Sequence, residues 1–286
     1  MPGRDEIDHY GIVESIEVEN VKVLNERFHK ELKLFRHSFN LLAEAIIDIH
    51  NKLKRSEDPL LAREFAFILI SAKILQSSKA LLNLSLNGYE YQANVLSRMM
   101  LEDFLLLKCF IKDEKSAEKW LKGNLDLTEA KCIVAEFFLD ENFNWLYNKL
   151  CDYVHTNPPS FSSLTEASDK RIEVKISPTL PDSIEDQAAI VIVPLAFNCI
   201  FLQIIMETYE EKIESDIKNR ISELTEQILF HFGKLFTFWK TIYIFSLMRE
   251  ARTRLFFQPL RTRPSRLRPI HHFLPPRLPI QSLPHL

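Results

Sequence analysis

The run Val21–Leu53, VKVLNERFHKELKLFRHSFNLLAEAIIDIHNKL, decides the fold. Val21, Leu24, Phe28, Leu32, Phe35, Phe39, Leu42, Ile46, Ile49 and Leu53 recur at three- and four-residue spacing, the period of one helix face. No proline or glycine interrupts them, so one long amphipathic helix is predicted. A helix with a single apolar face has to bury it against another element. The next run, Leu60–Leu86, supplies one: it begins after Asp58-Pro59 and stops at Asn87-Gly88, good start and stop signals. The pair reads as a helical hairpin.

A third helix, about Tyr89–Lys112, is apolar over most of its circumference and is expected at the centre of a bundle. Two shorter helices follow, one ending near Gly123 and one over about Leu127–Leu139, with Gly123-Asn124 between them. The segment WLYNKLCDYVH (145–155) is helical again, and Asn157-Pro158-Pro159 has to end it. Phe161–Gln187, rich in Ser, Asp and Pro, reads as a long loop, with Ile172, Val174 and Ile176 alternating as one short edge strand would. Gln187–Met206 has no charged residue and is long enough to span a membrane. Pro194, Asn198 and Gln203, and the charged EEKIESDIKNR that follows, favour a helix buried in the bundle. Ile228–Met248, with His231, Lys234 and Lys240, is the expected last helix.

The sequence therefore predicts an all-α multi-helix bundle. Five glycines in 286 residues and 46% hydrophobic content agree with a helical chain and a sizeable core. The net charge of -3 hides a division. Ala251–Leu286 holds seven arginines, seven prolines, no lysine and no acid, against 29 basic and 39 acidic residues before it. Such a tail cannot form a periodic apolar face and is expected to be disordered. Clustered arginines can neutralise phosphates or dock on anionic lipid. The abrupt exchange of lysine for arginine is also what a shifted reading frame or cloning scar produces. The expected organisation is an N-terminal extension over 1–14, a bundle over 15–250 and the tail over 251–286.

Cys109, Cys132, Cys151 and Cys199 form no C-x-x-C pair and have no histidine at zinc spacing, so no metal is indicated. Nor is there a P-loop, a G-x-G-x-x-G or a G-x-S-x-G, and no cofactor is expected. The start, MPGRDEIDHYG, shows no secretory pattern, and the cytoplasm is the expected location.

Three residues stand out as candidate chemistry. Arg98 and Glu102, four apart in SRMMLED, lie on neighbouring turns of one face of the third helix. Projection puts Arg98 at the margin of a polar strip of Glu90, Asn94, Ser97 and Lys108, and Glu102 further inside, beside Tyr91, Val95 and Cys109. Glu102 then needs a partner, and Arg98 is the nearest. His155 falls at the end of its helix, where an imidazole can serve free carbonyls or act as a catalyst. Asp152 and Tyr153 can orient its ring, while Thr156 and Asn157 can cap the chain or meet a ligand. Arg98 and Glu102 either fix helix register as a buried pair or join His155 in a site able to position a phosphate and move a proton.

The order L-x-R-x3-E on a helix (Leu96, Arg98, Glu102), then Trp120, then Y-x-H (Tyr153, His155) before Pro and Ser, resembles a large family of uncharacterised bacterial and archaeal all-helical proteins. That family in turn resembles the HEPN superfamily, named for higher eukaryotes and prokaryotes nucleotide-binding domains. The resemblance covers about Glu64–Glu210 and implies a helical fold and a homodimer. It also implies an RNA or protein partner and a place in prokaryotic defence or a toxin–antitoxin pair. HEPN nucleases carry Arg, four to six residues, then His on one helix, and cleave RNA without metal. Here Lys149 precedes His155 with five residues between, and lysine lacks the planar fork of arginine. Arg266 and His271 have the spacing but lie in the proline-rich tail. The resemblance thus implies a binding module, or a metal-independent ribonuclease using His155 with Arg98 and Glu102. A membrane anchor through 187–206 is a third reading.

Overall fold

The computed structural model describes residues 8–56, 60–135, 141–154, 165–168, 171–174 and 178–235. The first helices are α1 (His9–Arg27) and α2 (His29–Arg55), so the predicted single helix bends at Phe28. There φ is -118° and ψ is 31°, and the two helical ladders meet on this residue: Phe28 donates to the Leu24 carbonyl at 2.9 Å as α1 ends, and Leu32 donates to the Phe28 carbonyl at 3.0 Å as α2 begins. The bend lets α1 lie on the helix Ala62–Asn87 while α2 packs chiefly against the long helix Ile184–Tyr209. Phe28 is buried at the corner. The Asp8 carboxylate caps α1, accepting from the Gly11 amide at 2.9 Å, so helix takes in residues 9–14 of the expected N-terminal extension.

The stripe that defined α2 is the buried one. Leu32, Phe35, Leu42, Ile46, Ile49 and Leu53 all lie in the core, and Phe39 is half-buried. The next helix, α3 (Ala62–Asn87), ends in a left-handed Gly88, with Tyr89 donating back to the Leu84 carbonyl at 2.9 Å. The central helix α4 (Glu90–Lys112) touches α3, two short helices and the later helices Glu141–Val154 and Ile184–Tyr209. The short helices are α5 (Glu114–Leu121), capped by Asp113, and α6 (Leu127–Ile133), capped by Asp126. Between them Gly123 adopts φ 71°, as the Gly-Asn signal requires. Residues 136–139 of the predicted 127–139 helix lie outside the described residues.

Helix α7 (Glu141–Val154) carries the WLYNKL segment. The stretch expected as a loop with one strand instead holds a hairpin: β1 (Thr165–Ser168) pairs antiparallel with β2 (Arg171–Val174), Ala167 opposite Ile172. α8 (Ile184–Tyr209) also begins inside the expected loop, where Ser183 accepts from the Asp186 amide at 3.0 Å and starts the helix. A 3-10 turn (Glu210–Lys212) leads to α9 (Ser215–Leu235). Residues 236–286, with the tail and the end of the predicted last helix, lie outside the described residues.

Helices α3 and α8 are each long and apolar enough to cross a membrane. In the fold α8 is a core helix. Val191, Leu195, Phe201, Leu202, Ile204 and Ile205 are almost wholly covered, and the helix packs on α2, α3 and α4.

Candidate functional site

The α4 residues singled out by sequence meet α7. Arg98 is 5% exposed, and its Nη2 lies 2.7 Å from Glu102 Oε1. From α7, Tyr147 and Cys151, one turn apart, complete the surround. Arg98 Nη2 donates to the Tyr147 hydroxyl, Nε donates to Cys151 Sγ at 3.2 Å, and the guanidinium carbon sits 3.8 Å from the Tyr147 ring centroid. Lys131 of α6 brings a second cation 4.4 Å from that ring centre. Arg98 Nη1 is buried and has no hydrogen-bond partner among the described residues.

This corrects the predicted depth order. Arg98, expected at the margin, is the buried member, while the Glu102 side chain is 31% exposed. Helix α7 makes the difference, because Tyr147 and Cys151 cover the arginine. The pair forms as expected, with the cation inside and the carboxylate toward water.

Val154, the last residue of α7, is exposed, and His155, Thr156 and Asn157 lie outside the described residues. Tyr153 is half-buried and meets Tyr91 of α4 edge-on, with ring centroids 6.1 Å apart. Burial pushes its phenol above the usual range, and the charges of Glu90 and Asp152 add to this. Asp152 is half-buried. Lys149 is exposed and supplies none of the contacts to Arg98.

Two contributors were not read from sequence as members of the cluster: Tyr147 and Cys151, whose four-residue spacing on an amphipathic helix was the available signal. Asp103, which follows Glu102 directly, faces α3 and not Arg98. It is 3% exposed and bonded through Oδ1 to Lys73 Nζ of α3 at 2.7 Å, and its Oδ2 has no partner among the described residues. Burial raises its carboxyl above the ordinary aspartate value despite the opposing pull of Lys73; the neighbouring Glu102 charge adds to the rise.

The four cysteines are free thiols. Cys199 is buried in the core, and desolvation pushes its thiol up to about 12; Cys109 is also raised by burial. Among the described residues no group of three or more His, Cys, Asp or Glu is placed to hold a metal. Away from the Arg98 cluster, a hollow of about 460 Å³ lies between α3, α4 and the end of α8, floored by Phe67, Phe110 and Tyr209. Its rim charges are largely closed on one another, Lys212 on Glu64 at 2.8 Å and Lys108 on Glu207.

No family model, no curated protein and no solved structure matches this chain.

Proposed function

We propose that the chain is a helical binding module of HEPN-like type that acts through a protein surface, in a prokaryotic defence or toxin–antitoxin setting. The observation that carries this reading is a bare apolar stripe on α3. Phe65 and Leu69, four residues apart on one face, and Leu61, the residue just before the helix, are each more than two-fifths exposed. A core helix that leaves a row of large apolar side chains in water has a face suited to a partner. The state of Arg98 points the same way. Its Nη2 and Nε are committed to Glu102, Tyr147 and Cys151, so a phosphate could take both nitrogens only by displacing contacts already made.

The second reading is a metal-independent ribonuclease using His155 with Arg98 and Glu102. It is favoured by the unpartnered Arg98 Nη1 and the partly open Glu102. An anchor through 187–206 is disfavoured, because it would draw α8 out of its packing on α2 and α3.

The test is cleavage of single-stranded RNA by the full chain in chelator, beside a folded His155→Ala variant. No cleavage by the wild type is the expected result. Cleavage that disappears with His155→Ala would replace the binding module with the ribonuclease.

A further inference from the structure

Helix α7 carries a thiol that neither functional reading uses. Cys151 is half-buried, and Arg98 Nε of α4 donates to its sulfur at 3.2 Å. The other cysteines sit in different surroundings. Cys109 and Cys199 are 0% and 4% exposed in the core, and burial raises both thiols. Cys132 is exposed, and no N–H donates to its sulfur among the described residues. Of the four, Cys151 alone combines an opening to water with a cation on its sulfur.

That cation is short of acceptors. Arg98 is 5% exposed, and its Nη1 is buried with no partner among the described residues. The carboxylate on Nη2, Glu102, is 31% exposed and shares its charge with water. The acceptor on Nε is a thiol sulfur, among the weakest that a side chain offers. A buried donor left unmet is costly, and a guanidinium bonds an anionic acceptor more strongly than a neutral one. Lys131 places a second cation 4.4 Å from the ring centre of Tyr147, one turn before Cys151. These surroundings favour negative charge on the Cys151 sulfur, and partly open, electropositive surroundings are where reactive cysteines sit.

We propose that Cys151 is a site of oxidation by hydroperoxides, with the Arg98 guanidinium stabilising negative charge on its sulfur. The thiol releases its proton to water, and the sulfur attacks the near oxygen of the hydroperoxide. A sulfur–oxygen bond forms as the oxygen–oxygen bond breaks, so that sulfur is oxidised and the hydroperoxide reduced. The far oxygen leaves with the bonding electron pair and takes up a proton. Thiol and hydrogen peroxide thus become sulfenic acid and water. The chemistry involves no part of the α3 stripe and stands or falls apart from the module reading.

The experiment treats the full chain with hydrogen peroxide in chelator, traps sulfenic acid with dimedone and follows the Cys151 and Cys132 peptides by mass spectrometry. Cys151 is expected to be labelled about tenfold faster than Cys132, although it is the less exposed thiol. Arg98→Met is expected to slow Cys151 about tenfold and to leave Cys132 alone. Glu102→Gln removes the nearby negative charge and keeps an oxygen acceptor for Nη2; it is expected to speed Cys151 about threefold. If Arg98→Met does not melt cooperatively, Glu102→Gln decides in its place, and a rate that is unchanged or slower overturns the proposal. Cys151 labelled no faster than Cys132 in the wild type overturns it as well. So does a Cys151 rate unchanged in folded Arg98→Met, which would make exposure the whole cause.

Discussion

Asn198 of α8 donates from Nδ2 to the Ser38 hydroxyl of α2 at 3.0 Å, with both residues wholly buried. Its Oδ1 accepts from Ser78 of α3 at 2.5 Å, and Ser38 passes its own proton to the Phe35 carbonyl at 2.8 Å. One amide thus ties three helices together inside an apolar core. Asn198→Ala is expected to cost about 1–3 kcal/mol from the stranded hydroxyl, with a further loss from the cavity left behind. Replacing all three members by apolar residues should recover much of that loss, because no polar group is then stranded. Urea denaturation of the single and triple variants measures both; a triple variant weaker than Asn198→Ala would refute the network argument.

The Arg98–Glu102 pair predicts an asymmetry. Glu102→Ala strands a buried cation, whereas Arg98→Met leaves a carboxylate already partly in water. The first is expected to be the more destabilising, with about 3–5 kcal/mol as the ceiling set by fully buried pairs. Unfolding midpoints of the two variants give the order. Equal losses would mean that Arg98 is held mainly by Tyr147 and Cys151.

That asymmetry also marks where sequence reading stopped. A helical projection reports which residues share a face of one helix; it does not report what a second helix lays over them. Glu90, Asn94 and Ser97 were legible as one polar strip of α4, but their position beside α3 and α8 makes the strip a cavity wall, with Ser97 buried. Arg98 was misplaced in depth for the same reason, since α7 covers it. The α2 stripe was legible because burial of one face needs no knowledge of the partner. The bend at Phe28 was not, because it involves no proline and no glycine, only a change of direction that packing on two different helices demands. Thr165–Ser168 has little strand character of its own and is ordered as a strand by pairing with Arg171–Val174.

Asp103 and Glu64 give opposite pH dependences. Asp103 has a folded-state pKa raised by burial, so the folded chain holds that proton more tightly than the unfolded one. Its contribution is greatest below the ordinary aspartate pKa of about 3.9 and is lost as pH rises through the folded value. Burial also pushes Glu64 up, but Lys212 at 2.8 Å and the Leu61 amide at 3.1 Å outweigh it and leave the carboxyl below its ordinary value. Its contribution is present above the unfolded pKa and is lost as pH falls through the folded one. Melting temperatures between about pH 3 and about pH 7 are expected to lose part of their decline with rising pH in Asp103→Asn, and part of their acid-side loss in Glu64→Gln. A profile unchanged in Asp103→Asn would mean that Lys73 fully offsets the burial.

Gly88 and Gly123 separate two costs of adding a side chain. Both have positive φ, 88° and 71°, so alanine at either pays for left-handed backbone, about 1–2 kcal/mol. At Gly123 nothing lies within 4 Å of an added Cβ. At Gly88 that atom would stand 2.8 Å from Asn20 Nδ2 and 3.1 Å from the Thr179 amide nitrogen. The Asn20 amide donates to the Asn87 carbonyl at 3.1 Å and so fastens α1 to the end of α3, while Thr179 belongs to the segment leading into α8. Gly88→Ala is therefore expected to cost more than Gly123→Ala, and to increase hydrogen exchange around Asn20 in α1, which Gly123→Ala should leave alone. Denaturation midpoints and exchange rates of the two variants test this; equal losses would show that backbone conformation alone fixes glycine at position 88.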